Sequence, residues 1–212
     1  ATLLKLAQTD RDILVVTSDS RGSGKLTSFA QALPEQIVEI GIAEQNLVGV
    51  SAGLASAGKR VFAVSPACFL TARGLEQIKN DVAYSDNPVK VVGISAGVSY
   101  GALGTTHHSL HDLAALQAIN NIDIVVPADN FETRMAIETA VFHPRPLYIR
   151  FGKAAMPLLH APDSHFEIGK AITLAKGSDV TFIAIGETVA RAIEAARLLA
   201  EKGIAAGVIS MH

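Results

Sequence analysis

Tryptophan is absent, cysteine occurs once, at Cys68, and aromatic residues make up only 5% of the 212 residues. Base-stacking platforms need aromatic side chains, so the composition argues against one. A lone cysteine closes no internal disulfide, and nothing calls for an oxidising compartment. No run of eighteen or more apolar residues occurs, which argues against a helical membrane span. Blocks of like charge are missing too: 18 Lys and Arg against 20 Asp and Glu leave a net charge of −2. Such a chain offers little to nucleic acid or to an anionic lipid surface. No signal-peptide pattern follows Ala1, so a cytoplasmic protein is expected. The missing initiator Met predicts that Ala1 is not the first residue synthesised. What is present is 49% hydrophobic residue, enough to bury a sizeable core without disulfides or metals.

The texture along the chain is apolar strand, turn and amphipathic helix, repeated. Ile13–Thr17, Gln36–Ile40, Arg60–Val64, Val89–Ile94, Ile122–Val126 and Pro146–Arg150 read as strands. Helices are expected over Ala43–Ala57, closed by Gly58, then from about Thr71 to Ala83, over Leu110–Ile119, and from Asn130 to about Phe142. Near-continuous apolar strands alternating with helices predict an α/β fold, a parallel sheet covered on both faces. Functional groups then belong at the carboxyl ends of the strands. Residues 1–153 make the first domain and 154–166 read as a linker. Residues 167–212 begin a second α/β domain that is expected to be incomplete, because it stops on a strand.

Several polar groups follow strands. Glu44 opens a helix, where an acid complements the helix dipole or serves as a carboxylate facing the cleft. His107, His108 and His111 crowd a glycine-bearing loop, Gly97–His108, and its helix. No second ligand cluster supports a metal, which leaves general acid–base work or a solvated loop. Ser23 sits in a small-residue turn after the first strand, able to hold a phosphate through backbone N–H groups or to be a plain polar turn. Arg150 ends an apolar strand and points to an anion or to a structural salt bridge. Phe69 precedes the expected helix at Thr71, and Cys68 reads as a small buried hydrophobe.

Four runs in order, Glu39–Asn46, Phe69–Val82, Gly104–Ala114 and Pro127–Asp129, resemble the pyrimidine-binding domain of the transketolase family of thiamine-diphosphate enzymes. The similarity covers residues 1–153, and the remainder resembles the start of that family's C-terminal domain. The style is that of bacterial transketolases split into two chains, of which this resembles the C-terminal one. The resemblance implies transfer of a two-carbon ketol unit between sugar phosphates. It implies that Glu44 is the cofactor-activating glutamate, hydrogen-bonded to N1′ of the aminopyrimidine. By the same resemblance Phe69 is expected to pack on the pyrimidine, with Arg73 beside it at the cofactor. His107, with His108, is expected to contact substrate, and Ser23 and Arg150 to bind a substrate phosphate. The family holds the diphosphate and its Mg²⁺ on a Gly-Asp-Gly motif, which is missing here. A separate N-terminal subunit is therefore implied, in a homodimer or heterotetramer, with the small-residue helix Ala43–Ala57 leading into the subunit contact. Alternatives are a deoxyxylulose-phosphate synthase-like or 2-oxoacid dehydrogenase β-like subunit, or a silent subunit that kept the fold. Two positions depart from the family: Leu103 stands for an aspartate that reads a substrate hydroxyl, and Ser95 for a phosphate-binding histidine.

Overall fold

Six strands build the main sheet: β1 (Ile13–Thr17), β2 (Ile37–Glu39), β3 (Arg60–Pro66), β4 (Lys90–Ile94), β5 (Asp123–Val125) and β6 (Leu147–Arg150). In this computed structural model their order is β2-β1-β3-β4-β6-β5. The pairs β1–β2, β1–β3, β3–β4 and β4–β6 are parallel. β4 is buried at every residue, Lys90 included, as expected of a strand covered on both faces. The structure describes residues 1–161 and 163–212. Two units divide them: Ala1–Ile124 with Ile137–Lys153, and Val125–Ala136 with Ala154–His212. Pro162, within the expected linker, lies outside the described residues.

Helices α1 (Thr2–Ala7), α2 (Thr27–Ala32), α3 (Glu44–Ser56), α4 (Ala67–Arg73), α5 (Leu75–Gln77), α6 (Asp112–Gln117) and α7 (Asn130–Phe142) connect the strands. Leu47, Val48, Ala52 and Ala55 of α3 share one core with Val61, Ala63, Leu70, Ile78, Val82 and Val91. Gly58, at φ 87°, closes α3 as expected. The single helix expected from Thr71 to Ala83 is corrected. Helix α4 starts directly after Pro66 and breaks at Gly74, and the path continues through α5 into a π-helical stretch, Ile78–Tyr84. A side chain at Gly74 would press on the Leu70 and Glu44 carbonyls, so glycine marks the break. Helices α1 and α2 carry no apolar stripe long enough to announce them.

The lysine at the start of β4 is 2% exposed. Lys90 Nζ donates to the carbonyls of Pro88, His143 and Arg145 at 2.6, 2.7 and 3.3 Å, and burial pushes its amine down to about 8. Across the sheet, Gly93 pairs with Arg150. A Cβ on Gly93 would collide with the ring and hydroxyl of Tyr148. Gly93→Ala is therefore expected to destabilise the chain by about 1–3 kcal/mol, through overpacking. Denaturant midpoints check this, and an unchanged midpoint would mean that the Tyr148 ring yields freely.

The second unit has its own sheet, β7 (Ile172–Ala175), β8 (Val180–Ala184) and β9 (Ala206–Ser210), in the order β7-β9-β8. Helix α8 (Thr188–Ala200) crosses from β8 to β9, which run parallel. β7 is antiparallel to β9.

The first half of α7 belongs to this second unit. Asp129 Oδ1 accepts the Glu132 N–H at 2.9 Å, and Glu132 Oε2 accepts the Ala128 N–H at 2.7 Å. These reciprocal bonds cap the helix start. His160 lies between the same two carboxylates, with Nδ1 2.9 Å from Asp129 and Nε2 3.0 Å from Glu132. Ser210 Oγ donates to Glu132 at 2.6 Å and His212 Nδ1 stands 3.3 Å away. Phe131 stacks on His160 and Phe166 on His212.

Candidate active site

The site is built on the carboxyl ends of β2, β3, β4 and β6. After β2 the chain turns through Gly41, at φ 74°, and α3 opens on Glu44. The Glu44 side chain is 2% exposed, and its Oε2 accepts a hydrogen bond from Arg73 Nη1 at 2.8 Å. Arg73 is the last residue of α4, and its own side chain is half exposed. Phe69 lies one turn earlier, on the same helix face, with the Arg73 guanidinium 4.6 Å from its ring centroid. Phe69 thus stands inside α4 rather than ahead of a helix.

His107 also meets Phe69. The two rings stand edge to face with centroids 5.2 Å apart, and Tyr100 makes the same kind of contact with His107 at 5.3 Å. Lys153 Nζ sits 4.4 Å from the Tyr100 ring centroid. Glu44, Arg73, Phe69, His107, Tyr100 and Lys153 therefore form one unbroken line of contacts. The loop that carries His107 is pinned at its base by paired backbone hydrogen bonds between Gly97 and Ser109, at 3.1 and 2.8 Å. Gly101 and Gly104, at φ 55° and 73°, give it its turns.

The remaining expected residues divide. His108 turns into its own loop, with Nε2 3.1 Å from the Gly101 carbonyl. Arg150 stands at the loop base: Nε donates to Asp112 Oδ2 at 2.7 Å and Nη2 to the Ser109 carbonyl at 3.3 Å. Ser23 lies exposed in the turn after β1, and no contact joins it to the His107 line among the described residues. Leu103 is 55% exposed on the loop, and Ser95, 2% exposed, adopts φ 54°. Asp112, Tyr148 and Tyr100 escaped the sequence reading. Tyr148 was within reach, because strand alternation puts it on the Arg150 side of β6.

Among the described residues, no group of three or more His, Cys, Asp or Glu is arranged to hold a metal ion. Nor, among the described residues, is any helix long and apolar enough to cross a membrane.

Residues 1–157 match the transketolase pyrimidine-binding domain, and residues 169–212 match the transketolase C-terminal domain. The chain belongs to the transketolase family. A similar relative is one of the subunits of the apulose-4-phosphate transketolase of Phocaeicola vulgatus, 54% identical over 211 residues, 99% of this chain and 68% of the relative. A 6-deoxy-6-sulfo-D-fructose transketolase subunit from a Clostridium species is 35% identical, over 99% of this chain and 65% of its own length. Among solved structures, a split-gene transketolase described as an inactive tetramer of beta chains superposes with a TM-score of 0.89. It is 39% identical and covers 99% of this chain and 68% of that one. The chain thus spans about two thirds of the length of these transketolase subunits. Membership implies thiamine diphosphate as cofactor, and relatives that are one subunit of a split enzyme imply a partner subunit.

Proposed function

We propose that this chain is the pyrimidine-binding half of a split transketolase, which moves a two-carbon ketol unit between sugar phosphates. A separate subunit carries the diphosphate and its Mg²⁺, in a dimer or heterotetramer of cytoplasmic location. The observation that carries the reading is Glu44: a carboxylate 2% exposed, at a helix start, paired with the Arg73 that lies over the Phe69 ring. A buried acid and an aromatic ring joined through one arginine fit an aminopyrimidine, whose ring nitrogen needs one hydrogen-bonding carboxyl and whose faces need apolar cover. Thiamine diphosphate, when bound, supplies the nucleophilic carbon and the electron sink for breaking a ketose carbon–carbon bond. Glu44 holds a proton at the pyrimidine N1′. Phe69 covers the ring, and Arg73 sets the carboxylate's orientation. His107, fixed between Phe69 and Tyr100, faces the substrate's oxygens. Arg150, with its planar fork, takes the anionic end of the sugar. Ser23 and His108 are assigned supporting contacts to the same substrate. The 54% identity to a split transketolase subunit favours this chemistry over that of a deoxyxylulose-phosphate synthase or a 2-oxoacid dehydrogenase.

Calorimetric titration of thiamine diphosphate with Mg²⁺ tests the division of labour. Saturable binding is expected for the mixture of this chain with its diphosphate-binding subunit, and none for this chain alone. Equally tight binding by this chain alone would overturn the split assignment.

A further inference from the structure

Arg150 is held from behind. Asp112, the first residue of α6, is 1% exposed, and its Oδ2 accepts both the Arg150 Nε–H at 2.7 Å and the Tyr148 hydroxyl at 2.9 Å. Tyr148 and Arg150 are two apart on β6 and so share a face of the sheet. The Tyr148 hydroxyl reaches Asp112 only because position 93 on the neighbouring strand is glycine. Burial, reinforced by the Asp112 carboxylate, pushes the Tyr148 phenol well up, so it stays a hydrogen-bond donor. Among the described residues, Arg150 spends Nε–H on Asp112 and one Nη2 proton on the Ser109 carbonyl. The Nη1 protons and the second Nη2 proton stay available, and those form the fork that takes an oxyanion from two sides.

We infer that Asp112 and Tyr148 are positioning residues that fix the Arg150 guanidinium for the anionic end of the sugar, and so set the preference for charged over uncharged substrates. The inference rests on the proposal that Arg150 receives that anion. A surface arginine would lose rotamer freedom on gripping a phosphate. Here the side chain is only 19% exposed and clamped at Nε, so that ordering is already in place. The clamp also fixes the height of the fork over the loop base, because the Ser109 carbonyl that takes Nη2 belongs to the backbone pair with Gly97. Gly97 lies directly against the guanidinium: a Cβ there would stand 3.5 Å from Arg150 Nη2, in van der Waals contact.

The test compares a phosphorylated aldose acceptor with the same aldose lacking its phosphate, using this subunit reconstituted with its diphosphate-binding partner. Wild type, Tyr148→Phe, Asp112→Asn and Arg150→Gln are measured. The readout is the ratio of kcat/KM for the two acceptors, with inorganic phosphate as a competing anion. Tyr148→Phe removes one oxygen and is expected to lower the ratio about threefold to tenfold. Asp112→Asn, which loses a charged hydrogen-bond partner, is expected to lower it roughly tenfold to a hundredfold. Both should raise the inhibition constant of inorganic phosphate in parallel. If both variants lower kcat/KM for the two acceptors equally and leave the ratio unchanged, the residues are structural and the inference fails. If Arg150→Gln itself leaves the ratio unchanged, the anion does not lie on Arg150 and the underlying reading fails. Should Asp112→Asn not fold, Tyr148→Phe and the phosphate inhibition constant decide.

Discussion

Glu44→Gln is expected to lower turnover of the two-subunit enzyme by about 10²–10⁴-fold, the range for loss of a proton-transfer group. Glutamine is nearly isosteric with glutamate, so the packing of α3 should stand. Arg73, half exposed on the other side of the ion pair, hands its charge to water. The buried glutamine side chain of the variant keeps an amide oxygen to accept the Arg73 Nη1–H, so unfolding should move little. The variant can still touch N1′ but cannot share a proton with it in the same way. The measurement is exchange of the C2 proton of bound thiamine diphosphate by NMR, alongside thermal unfolding, with the partner present. A carboxylate that only complemented the helix dipole would change stability by about 0.3–1 kcal/mol and leave exchange untouched. An unchanged exchange rate removes Glu44 from the chemistry.

The largest stability effect is expected at Glu132, in the second unit. Its side chain is fully buried and receives Ser210, the Ala128 N–H and His160. Burial alone would push the carboxyl up. Hydrogen bonds from His160, His212, Ser210 and Ala128 outweigh it and hold Glu132 well below the usual carboxylate range. Burial likewise works against charge on His160, but Glu132 and Asp129 on either side raise its pKa. Glu132→Ala strands a buried charge, which typically costs about 3–5 kcal/mol. The pH dependence has a definite sign. The raised His160 contributes fully below its unfolded value, about 6.5, and the contribution disappears as pH rises through the folded value. The lowered Asp129 and Glu132 contribute above about 4, and that is lost in acid as pH falls through their folded values. Wild type should therefore exceed His160→Gln in stability by more at pH 5.5 than at pH 8.5. Urea midpoints at the two pH values decide, and a gap that widens with pH would reject the charged-His160 arrangement.

The strands were legible wherever burial is complete. β3 and β4 announce themselves because no residue between their ends has to meet water. Short α1 and α2 were not, and neither was the break at Gly74, where the reason is a backbone approach from Glu44 and Leu70 that no local pattern encodes. Strand direction in the second sheet was equally hidden, since nothing in β7 itself tells parallel from antiparallel. At the site, Glu44 and His107 stood out by their placement after strands and by family resemblance. Their connection through Phe69 and Arg73 needed coordinates. Asp112 passed as an ordinary helix-opening acid, because its partners Tyr148 and Arg150 come from a distant strand. The carboxylate–histidine cluster of Asp129, Glu132, His160 and His212 was invisible for the same reason.

The two backbone hydrogen bonds between Gly97 and Ser109 carry a consequence for how substrate range diverges. They fasten the loop at its neck, so positions between them other than Tyr100 and His107 can be exchanged, and the loop lengthened or shortened, without moving the register of β4 or the start of α6. Extra loop length costs little, roughly 0.6 kcal/mol per doubling. On the proposed function, the reading of the sugar's hydroxyls is then open to change through positions such as Leu103, while the Arg150 anchor beneath the neck stays as it is. Enzymes of this architecture can drift between sugars one loop residue at a time, with the sheet and the acid at the head of α3 left out of the negotiation.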